Sequence, residues 1–151
     1  MLMNRLALGR AMPDSRSDEL DAMRQSANSP GDRASLRELR ESGRQSARER
    51  IDSLLVLDSF VEVDAFVQHR AGEHNMHLHR PLGDGVVAGH GMLDGRRVVC
   101  FAQDYSVFAG TMGEMHARKI AKVAEFAEKS QLPMICIWDG DGQRVEEGVT
   151  S

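Results

Sequence analysis

The sequence predicts an α/β fold, and three observations carry that expectation. Two apolar stretches flank Asp94-Gly95, a dipeptide that readily takes the positive φ values of a tight hairpin turn. A helical pattern over residues 114–130 comes next, and after it the short apolar run Met134-Ile135-Cys136-Ile137-Trp138. A helix set between apolar strands is the pattern of a βαβ crossover onto a parallel pair.

Taken in order, residues 1–32 carry Pro13, Pro30 and Gly31 and no sustained periodicity, which predicts a polar, flexible lead-in to a domain over 33–151. Helical signals begin at Arg33, with Leu36 and Leu39 three apart, and Ser42-Gly43 breaks them. Ser46-Ala47-Arg48-Glu49 has capping-box spacing and opens a helix with Ile51, Leu54 and Leu55 on one face. Residues 60–67, rich in β-branched and aromatic types, read as a strand. A loop with Gly72 and Pro81 leads into the hairpin, residues 84–92 and 96–102. Val98-Val99-Cys100-Phe101-Ala102 is apolar without alternation, so that strand should be covered on both faces. Asp104 to Gly113 reads as a loop hinged at Gly110 and Gly113, with Asp104 as its cap. The helix after it places Ile120, Val123, Ala124 and Ala127 on one face. A Gly-rich turn, Asp139-Gly140-Asp141-Gly142-Gln143-Arg144, follows the last strand. A new helix is expected from Val145; it stops about one turn later at Ser151, so the chain is expected to be part of a longer one.

Composition narrows the function. With 41% hydrophobic and 28% charged residues, the chain has the balance of a globular protein. No apolar run approaches the ~20 residues a membrane span needs, and a net charge of -4 argues against nucleic acid as a partner. Residues 1–50 hold ten arginines, no lysine and eight carboxylates, whereas the remainder is acidic. Cys100 and Cys136 lie in apolar runs and read as two buried thiols in a reducing compartment. A cytoplasmic location is expected; Arg5 and Arg10, with no acid among the first twelve residues, leave the mitochondrial matrix as the alternative.

Several side chains invite chemical readings. His74, His77 and His79 are spaced as metal ligands can be, but no cysteine cluster joins them, so solvated loop histidines are expected and no metal. His116 beside Glu114 reads either as an acid–base pair or as structural groups at a helix start. Arg44, Arg48 and Arg50 suit either phosphate or a salt-bridged helix surface.

Longer strings then carry a family resemblance. Gln45-Ser46-Ala47-Arg48-Glu49-Arg50-Ile51-Asp52-Ser53-Leu54-Leu55, followed by Asp58-Ser59-Phe60-Val61-Glu62, resembles the opening of the carboxyltransferase β subunit of biotin-dependent acyl-CoA carboxylases, propionyl-CoA carboxylase above all. Gly83-Asp84-Gly85-Val86-Val87, Asp94-Gly95-Arg96, Ala102-Gln103-Asp104-Tyr105-Ser106-Val107-Phe108, His116-Ala117-Arg118-Lys119-Ile120 and Arg144-Val145-Glu146-Glu147-Gly148-Val149 match in the same order. The resemblance implies a partial crotonase-like (ClpP/crotonase) ββα spiral, the first part of the N-terminal carboxyltransferase domain. It implies carboxyl transfer from carboxybiotin to acetyl- or propionyl-CoA, with biotin brought by a carrier partner and no tightly bound cofactor on this chain. A biotin carboxylase or carrier subunit, and a second copy or a complementing C-terminal half, are the implied partners. Gly142 and Gln143 match the positions whose backbone amides form the family's oxyanion hole, and Arg44, Arg48 and Arg50 become candidate neighbours of the CoA phosphates.

The turn departs from the family's Asp-Ser-Gly-Gly-Ala-Arg: Asp141 replaces the first glycine of the pair and Gln143 the alanine. A carboxylate beside a forming enolate repels it, so weak or absent catalysis is expected, and a non-catalytic acyl-CoA-binding or subunit-interaction relative is the alternative.

Overall fold

The computed structural model describes residues 15–150. One four-stranded sheet, in the order β1-β2-β3-β4, is built from Val61–Glu62, Val86–Leu93, Arg96–Gln103 and Met134–Ile137. The first two pairings are antiparallel, and β3 pairs with β4 in parallel. Helices α1 (Ser15–Asn28), α2 (Arg33–Glu41) and α3 (Ala47–Leu54) precede the sheet, and α4 (Glu114–Ser130) makes the crossover between β3 and β4.

Local chemistry explains the elements that the sequence foretells. Asp94 and Gly95 both have positive φ, 48° and 76°, as the two central residues of a type I′ hairpin turn must. The capping box is formed: the Ser46 hydroxyl accepts from the Glu49 amide, and the Glu49 carboxylate accepts from the Ser46 amide. Strand β3 is covered on both faces. Val98, Cys100 and Ala102 pack with Ala47, Ile51 and Leu55 around α3, while Val99 and Phe101 pack with Val123 and Ala127 of α4. A period of two sends alternate residues to opposite layers, and apolar layers on both sides make the run continuous.

Five expectations need correction. Within the polar lead-in, residues 15–28 form α1, which buries Ala27; the first twelve residues, on which the mitochondrial alternative rests, lie outside the described ones. The strand over 60–67 shrinks to Val61–Glu62, because Asp64 takes a left-handed φ of 54° and turns the chain away. Cys136 is exposed, since β4 lies at the sheet edge; Cys100 is buried, and burial pushes its thiol up to about 11. Val145–Thr150 is a 3-10 segment interrupted at Gly148, where φ is 63°, rather than an α-helix.

The fifth concerns Gly110 and Gly113, which are packing points rather than hinges. A Cβ at Gly110 would lie 2.2 Å from the Asp139 carbonyl oxygen, and one at Gly113 would lie 2.3 Å from Glu147 Oε1. Gly110 also has a φ of 65°. Gly110→Ala is therefore expected to lower unfolding free energy by ~1–3 kcal/mol in urea titrations, because the two loops must part to admit the methyl. A loss below ~0.5 kcal/mol, the level of a neutral surface change, would show that the loops separate freely.

Candidate functional site

Parallel strands β3 and β4 end side by side, and the segments that leave them meet above the sheet. In open α/β sheets this is where ligands are held. The Asp141 amide donates to the Ala109 carbonyl at 3.1 Å, the Met112 amide to the Gly142 carbonyl at 2.8 Å, and the Arg144 amide to the Met112 carbonyl at 2.9 Å. The loop after β3 thus splints the Gly-rich turn after β4.

Both ends of that turn are anchored. The Asp139 amide donates to Gln103 Oε1 at 2.8 Å, and its carboxylate receives Arg44 and Arg50. At the other end Arg144 is fully buried. Its Nη1 donates to Asp84 Oδ1 at 2.5 Å and to Glu147 Oε1 at 2.8 Å, its Nη2 to the Thr111 carbonyl at 2.9 Å, and the guanidinium lies 4.6 Å above the Phe108 ring. Burial raises the Asp84 carboxyl, while Arg144 pulls it back.

Between the anchors, Asp141, Gly142 and Gln143 are exposed. A Cβ added at Gly142 meets nothing within 4 Å, so its backbone is open to close approach by a ligand. The Asp141 carboxylate is steadied by the Tyr105 hydroxyl, which donates to Oδ2 at 3.0 Å, and Arg44 stacks 4.0 Å over the Tyr105 ring. A cleft of about 300 Å³ adjoins this corner, with Arg44, Tyr105 and Ala109 among its walls.

The arginine trio is not one patch. Arg44 and Arg50 converge on Asp139, whereas Arg48 pairs with Glu62. Arg48 ties α3 to β1 and Arg50 ties α3 to the turn, while Arg44 reaches the same Asp139 from the connection between α2 and α3. Glu114 and His116 do not pair: the Glu114 carboxylate takes Arg70 and Arg118, and the Arg70 bond chiefly lowers its pKa. Asp104 caps its loop through the Ser106 amide and hydroxyl. His74, His77 and His79 are exposed, and among the described residues no three His, Cys, Asp or Glu side chains gather as metal ligands.

His116 itself is buried. Burial, followed by the charge of Arg144, lowers its pKa from 6.5 to about 4. The unfolded imidazole charges as pH falls through 6.5, while the folded one stays neutral to about 4, so the folded state binds fewer protons across that window. Stability is therefore expected to fall between pH 6.5 and 4, with a His116 share of ~3 kcal/mol. His116→Asn lacks that titration. The stability gap between it and the wild type, measured in urea, should narrow on acidification, and a constant gap would contradict the assignment.

Sequence reasoning missed the inward face of α4. His116, Lys119, Val123 and Ala127 are its buried residues, so the spacing that marked Val123 and Ala127 as core extends back to both polar groups. Lys119 donates to the Val86 carbonyl at 2.7 Å, and burial, opposed by Glu62, brings it to about 8.

Residues 38–151 match the carboxyl transferase domain family. The chain belongs to that family. Among relatives of this carboxyl transferase domain, the biotin-dependent acetyl-/propionyl-coenzyme A carboxylase beta5 subunit of Mycobacterium tuberculosis is 47% identical over 133 residues, 88% of this chain and 24% of that one. The propionyl-CoA carboxylase beta chain of Saccharopolyspora erythraea is 49% identical over 109 residues, 72% of this chain and 20% of that one. A transcarboxylase 12S crystal structure with methylmalonyl-coenzyme A and methylmalonic acid bound superposes with a TM-score of 0.87 at 33% identity, covering 93% of this chain and 27% of that one. The chain thus spans about a quarter of the length of these proteins, and its fold is the partial crotonase-like α/β arrangement expected. Among the described residues, no helix is long and apolar enough to cross a membrane.

Proposed function

We propose that this chain is the N-terminal, acyl-CoA-facing part of a biotin-dependent carboxyltransferase acting on acetyl- or propionyl-CoA, with residues 139–144 as its oxyanion turn. The observation that carries the reading is the turn itself, an exposed Gly142 backbone anchored at both ends beside the ends of two parallel strands. Donors fixed before reaction stabilise charge that develops during it without reorganising. The Gly142 and Gln143 amides would receive the thioester oxygen as the α-carbon becomes nucleophilic. Biotin, carried by a partner subunit, supplies the carboxyl group when bound. Arg44, Arg48 and Arg50 are the candidate neighbours of the CoA phosphates, with Arg44 the most open at 35% side-chain exposure. A phosphate there competes with Asp139 and Glu62 for the guanidinium groups. A second copy or a C-terminal half completes the site, and the cytoplasm is the proposed setting.

A second reading, binding without catalysis, is favoured by one residue. Asp141 sets a carboxylate against the position of the enolate, and among the described residues it is the Tyr105 hydroxyl, rather than a cation, that donates to it. Titration with propionyl-CoA, and separately with CoA, while the backbone amides of residues 139–144 are followed by NMR, tests the site. The thioester alone should move Gly142 and Gln143. Binding that leaves both unmoved overturns the oxyanion assignment, and absence of binding overturns the acyl-CoA reading itself.

A further inference from the structure

A buried row of side chains runs beneath the turn. Its two ends are backbone groups of fixed polarity. The Asp139 amide donates to Gln103 Oε1 at 2.8 Å, and His116 Nδ1 lies 3.0 Å from the Asp84 carbonyl oxygen. Between them, Gln103 Nε2 and His116 Nε2 are 3.3 Å apart. An amide N–H requires an oxygen, so the carboxamide presents Oε1 to Asp139 and its NH2 to His116. That NH2 only donates, so His116 Nε2 must accept. The single ring proton is left on Nδ1, where the Asp84 carbonyl takes it. The row returns to the turn at the far side, since the Asp84 carboxylate accepts from the His116 amide at 2.9 Å and from Arg144, the residue that ends the turn Asp139 begins.

We propose that His116 is a positioning residue: as the neutral Nδ1–H tautomer it orients the Gln103 carboxamide so that Oε1 grips the Asp139 amide and fixes where the oxyanion turn starts. The proposal rests on reading residues 139–144 as that turn. His116 touches no reacting atom and acts through Gln103.

The surroundings hold the ring neutral. His116 is 0% exposed. Arg144 and Lys119 lie near it as cations, the latter from its own helix. Asp84, in the turn before β2, is the acid that meets it, and Gln103, from β3, is neutral. Burial comes first: Asp84 and Glu147 are engaged by Arg144 and Glu62 lies 3.6 Å from Lys119, so a third positive charge in this buried spot is disfavoured. Were the ring protonated, Nε2–H would face the carboxamide NH2. The carboxamide would flip, and the Asp139 amide would lose its acceptor.

The test is 15N NMR of His116 in the full chain. At pH 7 the proton should sit on Nδ1, whereas a free histidine side chain favours Nε2; a proton on Nε2, or an averaged mixture, overturns the proposal. Gln103→Glu supplies a second check. One carboxylate oxygen still accepts from Asp139 while the other faces Nε2, so the ring should gain a proton at neutral pH, an upward shift of roughly three units. An unshifted titration in this variant also overturns the proposal. Should Gln103→Glu fail to fold, Gln103→Met reads the same link: Asp139 amide exchange should quicken roughly tenfold, the loss of one hydrogen bond, and unchanged exchange overturns the proposal. With the tautomer and the link intact, Gly142 and Gln143 amides that ignore propionyl-CoA overturn the oxyanion reading, and with it the functional half of the proposal alone.

Discussion

Arg144→Met is expected to lower unfolding free energy by ~3–5 kcal/mol. Arg144 and Asp84 are both fully buried at the side chain, and the guanidinium serves Asp84, Glu147 and the Thr111 carbonyl together. Removing it leaves the Asp84 carboxylate buried beside Glu147 without the guanidinium that both share. Breaking a buried pair costs far more than the pair contributes, because the remaining charge cannot reach water. Urea unfolding of the single variants and of Asp84→Asn/Arg144→Met measures this. The double variant should recover part of the loss, a coupling of ~1–3 kcal/mol. Asparagine suits the left-handed φ of 50° at position 84, so backbone strain does not confuse the comparison. A single-variant cost under ~1 kcal/mol, typical of an exposed pair, would mean the network is solvated.

The second large effect is on turnover. With residues 139–144 of this chain grafted into a full-length relative, Asp141→Gly is expected to raise kcat by ~10²-fold or more, the scale of one oxyanion donor. On the proposed reading Asp141 would act by charge and by bulk: its residue is exposed beside Gly142, and its carboxylate accepts from the Tyr105 hydroxyl. Asp141→Asn separates the two, since it removes charge and keeps volume. A gain from Asn close to that from Gly assigns the defect to repulsion, while a gain from Gly alone assigns it to crowding. No gain from either would show that the turn is not where the negative charge develops.

Patterns that act over a few residues were legible in the sequence. Asp94-Gly95, the Ser46–Glu49 box and the helix over 114–130 each depend on groups within one or two turns of chain, so reading them needed no knowledge of packing. The β-rich run at 60–67 misled because propensity favours extension there, while Asp64 bends away and its carboxylate meets Lys122 of α4. The turn itself was visible as glycines and by family resemblance. Its anchors were not: an arginine after a Gly-rich turn looks like a surface residue until Asp84 is seen beneath it. Arg44, Arg48 and Arg50 looked like one cluster in sequence, yet one helical register sends Arg48 to Glu62 and Arg50 to Asp139.

The splinted turn also has a place in the order of folding. Hairpin β2–β3 closes over a two-residue turn and can form early and locally. The turn is tied instead by contacts of great sequence separation, 95 residues for Arg44 with Asp139 and 60 for Asp84 with Arg144. Chain ends that far apart meet only after the entropy of closing the intervening loop has been overcome. The corner around the turn is thus expected to close later than the β2–β3 hairpin on which it rests.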